Sequence, residues 1–342
     1  MRIDPLLRAL SEPTRLRMMR LLAHMELAVG EVAQVLGQSQ PRVSRHIRIL
    51  CDAGLAERRK EGSWVFLRSA VSEEALVSKG VSSGLSSGLG LGRAAAHLLA
   101  VAEREDPQFA ARCAEDRRHL AAIRAGREAN AQAYFARHAA EWDTLRRLHG
   151  ADEPVEDALL AALGGHSLGA ALDVGTGTGR MAQLLSARAD HVTALDKSPE
   201  MLRIARARLQ SLPADKVDLV QGDFTALPFA PEAFDTVLFH QVLHYAQDLA
   251  PVLGEAARVL RPGGRIAVVD LAAHQHEELR ERHAHARLGF SDEQMRTQLV
   301  AAGLTPAIPV ALPGDPLTVK IWTARRNTAP APDAFERETA PV

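Results

Sequence analysis

Eleven residues, Ala170-Ala171-Leu172-Asp173-Val174-Gly175-Thr176-Gly177-Thr178-Gly179-Arg180, combine a carboxylate, three glycines at alternate positions and the start of a new element. An apolar run ending in such a turn reads as a strand feeding a helix. Glycines there let the backbone turn tightly, approach a ligand and seat the helix on the sheet. Asp196 closes the next apolar run, Val192 to Leu195, about 20 residues after the first glycine, where a carboxylate takes ribose hydroxyls. The pattern Asp-x-Gly-x-Gly-x-Gly differs from the Gly-x-Gly-x-x-Gly that lays a pyrophosphate over a helix N-terminus. An acid on the strand repels pyrophosphate and attracts the α-amino group of a cationic amino-acid ligand.

Three later segments follow in order. They are Gly222-Asp223-Phe224 after the apolar run Val217 to Val220, Phe234-Asp235-Thr236-Val237-Leu238-Phe239, and Val259-Leu260-Arg261-Pro262-Gly263-Gly264-Arg265-Ile266. With the first, they resemble the motifs of the class I S-adenosylmethionine-dependent methyltransferases, over about Leu159 to Arg325. The resemblance implies a Rossmann-like α/β domain with a mostly parallel seven-stranded sheet, binding S-adenosylmethionine or S-adenosylhomocysteine. It implies that Asp173 and the backbone of Gly175, Thr176, Gly177 and Gly179 hold the methionine end. Asp196 would take the ribose, and Gly222, Asp223 and Phe224 would address the adenine. Lys197, Met201 and His240 complete the expected cofactor-binding set.

Acceptor-side residues are expected after the fourth strand, in Phe239-His240-Gln241-Val242-Leu243-His244-Tyr245. His240 and His244, four apart, would share a helical face and are the candidate catalytic bases. The Asn-Pro-Pro-Tyr type of segment used on amino groups of bases or glutamine is absent, which argues against a DNA-base or protein-amide methyltransferase. The several cysteines of an arsenite methyltransferase are absent too. His274, His276, His283 and His285 form a second cluster after the fifth strand; without HExxH or comparable spacing they read as polar pocket or loop residues, and no metal site is expected.

The N-terminal end carries a different chemistry. Leu6, Leu7 and Leu10, then Leu16, Met19 and Leu22, recur at helical spacing around Ser11-Glu12-Pro13-Thr14, with Ser11 placed to cap the second helix. Val29 to Leu36 stops at Gly37, and Ser39-Gln40-Pro41 restarts a helix that runs to about Ala53, the order of a helix-turn-helix. Leu55 to Arg59 and Trp64 to Arg68 flank Lys60-Glu61-Gly62-Ser63 as a β-hairpin wing. The phrases ALSEPTRLRMMRLL, QSQPRVSRHIRIL and AGLAERRKEGSWVFL resemble the ArsR family of winged-helix transcriptional regulators, over about residues 3 to 70. Double-stranded operator DNA is the implied partner. The candidate DNA-binding residues are Ser39, Gln40, Arg42, Ser44, Arg45 and His46 on the second helix and Arg58, Arg59 and Lys60 on the wing. Val43, Ile47 and Leu50 face the core, and Arg48 is either a solvated charge or a phosphate contact. The place where many such regulators carry a metal-sensing CxC pair reads Glu26 to Glu31 here, without a thiol. Cys51 reads as a small core residue.

Composition agrees with this division. The net charge of -1 over 342 residues conceals a net of +5 in residues 1 to 70 and -6 in the remainder, as for a nucleic-acid-binding module joined to an acidic ligand-binding domain. No run reaches the ~18 apolar residues of a membrane span, and with no apolar leader at Met1 to Pro5 a cytoplasmic location is expected. Two cysteines far apart exclude a disulfide framework. The expected boundaries are a DNA-binding domain at 1–77, a flexible linker at 78–92 with five glycines and five serines, connecting helices at 93–150, the cofactor domain at 151–326 and a disordered tail at 327–342. The Ala/Arg/Glu-rich stretch from Ala110 reads as a helix to about His149. Its Tyr134, Phe135 and Trp142 read first as helix-packing aromatics, with a cofactor lid as the alternative.

The preferred functional expectation is a regulator, homodimeric through its N-terminal domain, whose operator binding responds to the cofactor. The rival is a small-molecule methyltransferase that regulates its own operon. A DNA-modifying enzyme targeted by its winged helix comes third.

Overall fold

The computed structural model describes residues 2–23, 25–61, 64–71, 89–146, 152–213 and 215–328. Four short helices open it, α1 (Ile3–Leu10), α2 (Pro13–Leu21), α3 (Val29–Leu36) and α4 (Gln40–Asp52). Beside them β1 (Leu27–Ala28), β2 (Ala56–Glu61) and β3 (Trp64–Ser69) form an antiparallel sheet in the order β1-β3-β2. The cap of α2 is Glu12, not Ser11. Glu12 has the extended backbone that a cap requires, and its carboxylate accepts the Arg15 amide at 3.0 Å, while Ser11 donates to the Arg8 carbonyl. Gly37, left-handed at φ 61°, stops α3 as its sequence position predicts. Val43, Ile47 and Leu50 of α4 are buried in one core with Leu6, Met18 and Leu67.

The next helix, α5 (Leu89–Glu105), begins inside the stretch expected to be a linker. Leu91 packs on the N-terminal core, an apolar anchor that offsets the backbone entropy of the neighbouring glycines, and so the first turn of α5 includes Leu89 to Gly92. Residues 78–88 of the expected linker, and 329–342 of the expected tail, lie outside the described residues. Helix α6 (Pro107–His138) is capped by Asp106, which accepts the amides of Gln108 and Phe109. It stops at a 3-10 turn, Ala139–Glu141, before α7 (Trp142–Arg146), so the single helix expected to reach His149 is broken. Ala95 and Leu99 of α5 and Leu120 of α6 complete the N-terminal core. Asp116 of α6 is 1% exposed and accepts from Arg17 of α2 at 2.8 Å.

After α8 (Asp152–Leu163) the chain enters one large sheet. Its strands are β4 (Ala170–Val174), β5 (His191–Asp196), β6 (Val217–Gln221), β7 (Phe234–His240), β8 (Leu260–Leu271), β9 (Leu304–Pro306), β10 (Val310–Leu312) and β11 (Val319–Arg326). The order is β10-β11-β8-β7-β4-β5-β6, parallel from β8 to β6 and antiparallel at β11. Both β9 and β10 pair with the same edge of β11, with a register slip of one residue between them. Eight strands therefore occupy seven rows, and the expected seven-stranded plan is met with a broken edge. Helices α9 (Arg180–Ser186), α10 (Pro199–Leu209), α11 (Leu249–Val259), α12 (Glu278–His283) and α13 (Asp292–Ala301) follow the strands. Two apolar clusters fill the sheet's sides, one around Leu172, Phe239, Val268 and Trp322, the other around Ala171, Leu185, Val192 and Val269. The chain leaves β4 towards β5 and β6, then returns to β7 on the other side. Ligands bind where the strand order reverses in this way, here at the C-terminal ends of β4 and β7.

The Arg17–Asp116 pair ties α2 to α6. Arg17→Ala leaves a buried carboxylate without its cation and is expected to cost about 3 kcal/mol in denaturant unfolding, whereas Arg17→Ala with Asp116→Ala costs less than the single change. Equal losses for the two would remove the pair as a tie.

Candidate functional site

Beyond β4 the backbone of Gly175 and Thr176 donates to the Leu195 carbonyl at 2.8 and 2.9 Å, which folds the glycine turn over the end of β5. Gly175 has φ 72°, and a Cβ there would stand 2.4 Å from Val242 Cγ2. Only glycine lets the turn lie so close to the segment after β7. Asp196 accepts the amides of Gly177 and Ser198, both at 2.8 Å. Burial pushes its carboxyl above the usual range although these amides oppose the shift. A carboxylate has about four acceptor sites; those the backbone amides leave open suit hydroxyl donors such as a vicinal diol.

Gly175, Thr176, Gly177, Asp196, Lys197, Met201, Gly222, Phe224 and His240 line one cavity of about 510 Å³. The other expected cofactor residues stand behind its wall. Asp173, 1% exposed, accepts from the Thr176 hydroxyl at 2.6 Å and so orients the turn. Gly179 is buried, where a Cβ would meet Ala205 at 3.0 Å, and serves helix packing. Asp223 is held by Lys197 at 2.6 Å and by the amide and hydroxyl of Thr225, at the end of the loop that carries Phe224. Lys197 also bonds Glu128 of α6 at 2.7 Å, which draws the long helix over the cradle.

Tyr134, Phe135 and Trp142 line the same cavity. Phe135 meets Trp142 and Tyr245 edge-on at 5.4 and 4.8 Å between centroids, and Trp142 Nε1 comes within 3.5 Å of a Cβ placed on Gly177. Asp143 fixes this cover by accepting from the Thr178 hydroxyl at 2.7 Å and pairing with Arg208. The three aromatics pack on one another and also face the cavity beside the glycine turn.

The far wall is made by residues that sequence reasoning did not connect with the site. Glu31 of α3, Trp64 and Phe66 of the wing, Arg127 of α6, and Arg280 and Arg287 after β8 all line the cavity. The signal in the sequence was the placement of Trp64 and Phe66 two apart on one strand, which puts both rings on one face. Glu61, 4% exposed at the end of β2, accepts from Arg280 at 2.8 Å, the Leu288 amide at 2.7 Å and Arg59 at 2.8 Å. Glu26 accepts from Arg59 and Arg287, both at 3.0 Å. Arg280 lies over the Trp64 ring and Arg287 over the Phe66 ring, each at 4.4 Å.

His240 ends β7 and faces the cavity, whereas His244 lies in a 3-10 turn (Leu243–Tyr245) and is 1% exposed. The two do not share a helical face, because the chain turns at Gln241, φ 51°. Instead His244 Nδ1 is 2.7 Å from Asp270 Oδ1, and its ring stacks on His285 at 4.1 Å. His285 lines the cavity. The rest of the expected cluster is dispersed: His283 meets the Tyr134 hydroxyl at 2.9 Å, His276 pairs with Glu278, and burial brings His274 down to about 4.

On the opposite module Ser39, Gln40, Arg42, Ser44 and Arg45 are exposed along α4, and Arg58 and Lys60 along β2. His46 is 9% exposed, with Nδ1 3.6 Å from Glu12. Arg59 is likewise engaged within the protein, by Glu26 and Glu61. Within this arrangement both side chains are engaged by carboxylates of the protein itself.

Residues 12–58 match the model of the arsR family of bacterial regulatory proteins, and residues 172–268 that of a methyltransferase domain. A malonyl-[acyl-carrier protein] O-methyltransferase of Salmonella typhimurium is 35% identical over 149 residues, 44% of this chain and 56% of that protein. A demethylmenaquinone methyltransferase of Tropheryma whipplei is 39% identical over 101 residues, 30% of this chain and 41% of that protein. The chain thus spans about half the length of these relatives. The solved structure of a putative methyltransferase from Bacillus halodurans is 22% identical with a TM-score of 0.45, covering 52% of this chain and 100% of that one.

Arg42→Ala and Arg45→Ala are each expected to weaken DNA binding by roughly 1 to 3 kcal/mol where the side chain reads a base edge, and His46→Ala by much less; fluorescence anisotropy with labelled duplexes measures all three. Asp196→Ala is expected to remove most affinity for S-adenosylhomocysteine in calorimetry with the fold retained, because the ribose hydroxyls lose their charged acceptor. Normal binding by that variant would move the ribose elsewhere.

Proposed function

Since the chain joins an arsR-family helix-turn-helix to a methyltransferase domain, we propose that it is a cytoplasmic, dimeric DNA-binding regulator. Its operator affinity is set by S-adenosylmethionine or S-adenosylhomocysteine in the second domain. The observation that carries this reading is the shared cavity: Trp64 and Phe66 of the wing face the same space as Gly175, Gly177 and Asp196. A ligand there acts on side chains of the DNA-binding module directly, and it shifts DNA affinity by as much as it favours one arrangement of the wing over another. Exposed Ile3 and Leu7 on α1 and Leu98 on α5 support pairing of two copies through the N-terminal module.

Within the cradle, the open turn at Gly175 and Gly177 suits the amino-acid end of the cofactor, and Asp196 its ribose. Phe224 and Met201 suit the adenine, with Lys197 and Asp223 fixing the loop that carries it. Trp142 and Phe135 cover the turn and exclude water. When bound, S-adenosylmethionine supplies an electrophilic methyl group on sulfur.

One observation favours the second reading, a working small-molecule methyltransferase. Asp270, fully buried, orients His244, which stacks on His285 at the cavity wall. A carboxylate that fixes an imidazole behind a pocket is the arrangement of a general base.

If the regulator reading holds, either cofactor form alone, without any methyl acceptor, changes affinity for a selected operator duplex by about 5- to 150-fold, and the duplex changes cofactor affinity by the same factor. His240→Ala is expected to leave this coupling in place, and Glu61→Gln to reduce it. Operator binding that ignores both cofactor forms, together with methyl transfer that His240→Ala or His244→Ala abolishes, would put the enzyme reading first.

A further inference from the structure

The cavity is longer than the cradle. From Trp142 beside Gly177, a row of rings runs through Phe135 to Tyr245 and His285, with successive centroids 5.4, 4.8 and 5.2 Å apart. Trp64 and Phe66 line the same cavity beneath Arg280 and Arg287, which neighbour His285 in sequence. From this geometry we infer that the wing end is a second binding compartment for an uncharged, planar aromatic molecule, held beside the cofactor and read by the wing. The inference rests on the proposed function only for the identity of the cofactor in the other half.

Shape and charge together select that class. Rings that line a slot gain most from a flat π-surface, by edge-to-face and offset contacts. The cations packed on the wing rings are already engaged: Arg280 with Glu61 at 2.8 Å, Arg287 with Glu26 at 3.0 Å and Arg127 with Glu31 at 2.8 Å. Capturing an anion there means parting one of these pairs and leaving an enclosed carboxylate alone, so these three do not serve as an anion hook, and Arg137 and Arg282, which also line the cavity, are exposed to solvent. Beside the wing rings a charged guest loses its hydration without a fresh partner. A neutral ring system with a hydroxyl keeps its stacking, and it can hydrogen-bond at this wall, where His240 and His285 also lie.

The test uses the full chain saturated with S-adenosylhomocysteine and two probes of one shape, 2-naphthol and 2-naphthoate, followed by calorimetry without DNA. Leaving DNA out separates this result from any failure of cofactor–operator coupling. The neutral probe is expected to bind at least about tenfold more tightly than the carboxylate. Trp64→Ala is expected to weaken 2-naphthol about tenfold while S-adenosylhomocysteine affinity stays within about threefold, and Trp64→Phe to retain most of the affinity for 2-naphthol. Preference for 2-naphthoate, absence of 2-naphthol binding, or unchanged 2-naphthol affinity in Trp64→Ala would each overturn the inference. If Trp64→Ala fails to fold, the choice between the two probes by the natural protein decides it.

Discussion

A cluster of buried charge sets the relation between the two modules. Glu26 and Glu61 come from the winged-helix side, Arg280 and Arg287 from the segment after β8, and Arg59 bridges the two carboxylates. Glu61 and Arg287 are almost fully enclosed. Removing such groups from water costs nearly as much as their attraction returns, so the cluster adds little to stability. Its consequence is selective: any arrangement that separates one partner strands another in a dry environment. The wing therefore has one favoured seat, with the rings of Trp64 and Phe66 pressed under guanidinium groups. The wall of the cavity depends on that seat.

The glycine-turn cradle and the winged helix share this architecture without conflict. The reversal of strand order at β4 and β7 opens the crevice, the glycine turn and Asp196 shape one end, and the wing shapes the other. Because the wall comes from two modules, the volume available to a ligand and the position of the wing are one variable. The dyad of Asp270 and His244 lies behind the same wall, tied to the loop of His285 by two amides that donate to the His244 carbonyl. Displacing that loop disturbs both the histidines and the seat of Arg287.

Much of this was legible in the sequence wherever a local rule governed it. The strand, glycine turn and acid of the cradle needed only backbone geometry over short spans, and the helix-turn-helix only helical spacing and Gly37. Less was legible where distant contacts decided. His46 has the chemistry of a base reader, yet Glu12 and the packing of α2 against α4 draw it inward. Arg59 has the charge of a DNA contact, yet Glu26 from the segment before β1 and Glu61 of its own strand pair with it. Leu89 to Gly92 have a linker's composition, but Leu91 finds a core to enter. The role of Trp64 and Phe66 in the cavity was hidden, because nothing near them in sequence says that a second domain stands opposite.

Helix α6 has a mechanical meaning. At 32 residues it is a rod about 48 Å long, fastened near its start to Arg17 through Asp116 and further along to Lys197 through Glu128. The two fastenings lie 12 residues, about 18 Å, apart, so a tilt of about 5° between them shifts one against the other by about 1.6 Å. A span that short and stiff passes an adjustment at the cradle to the N-terminal core as a small translation instead of absorbing it.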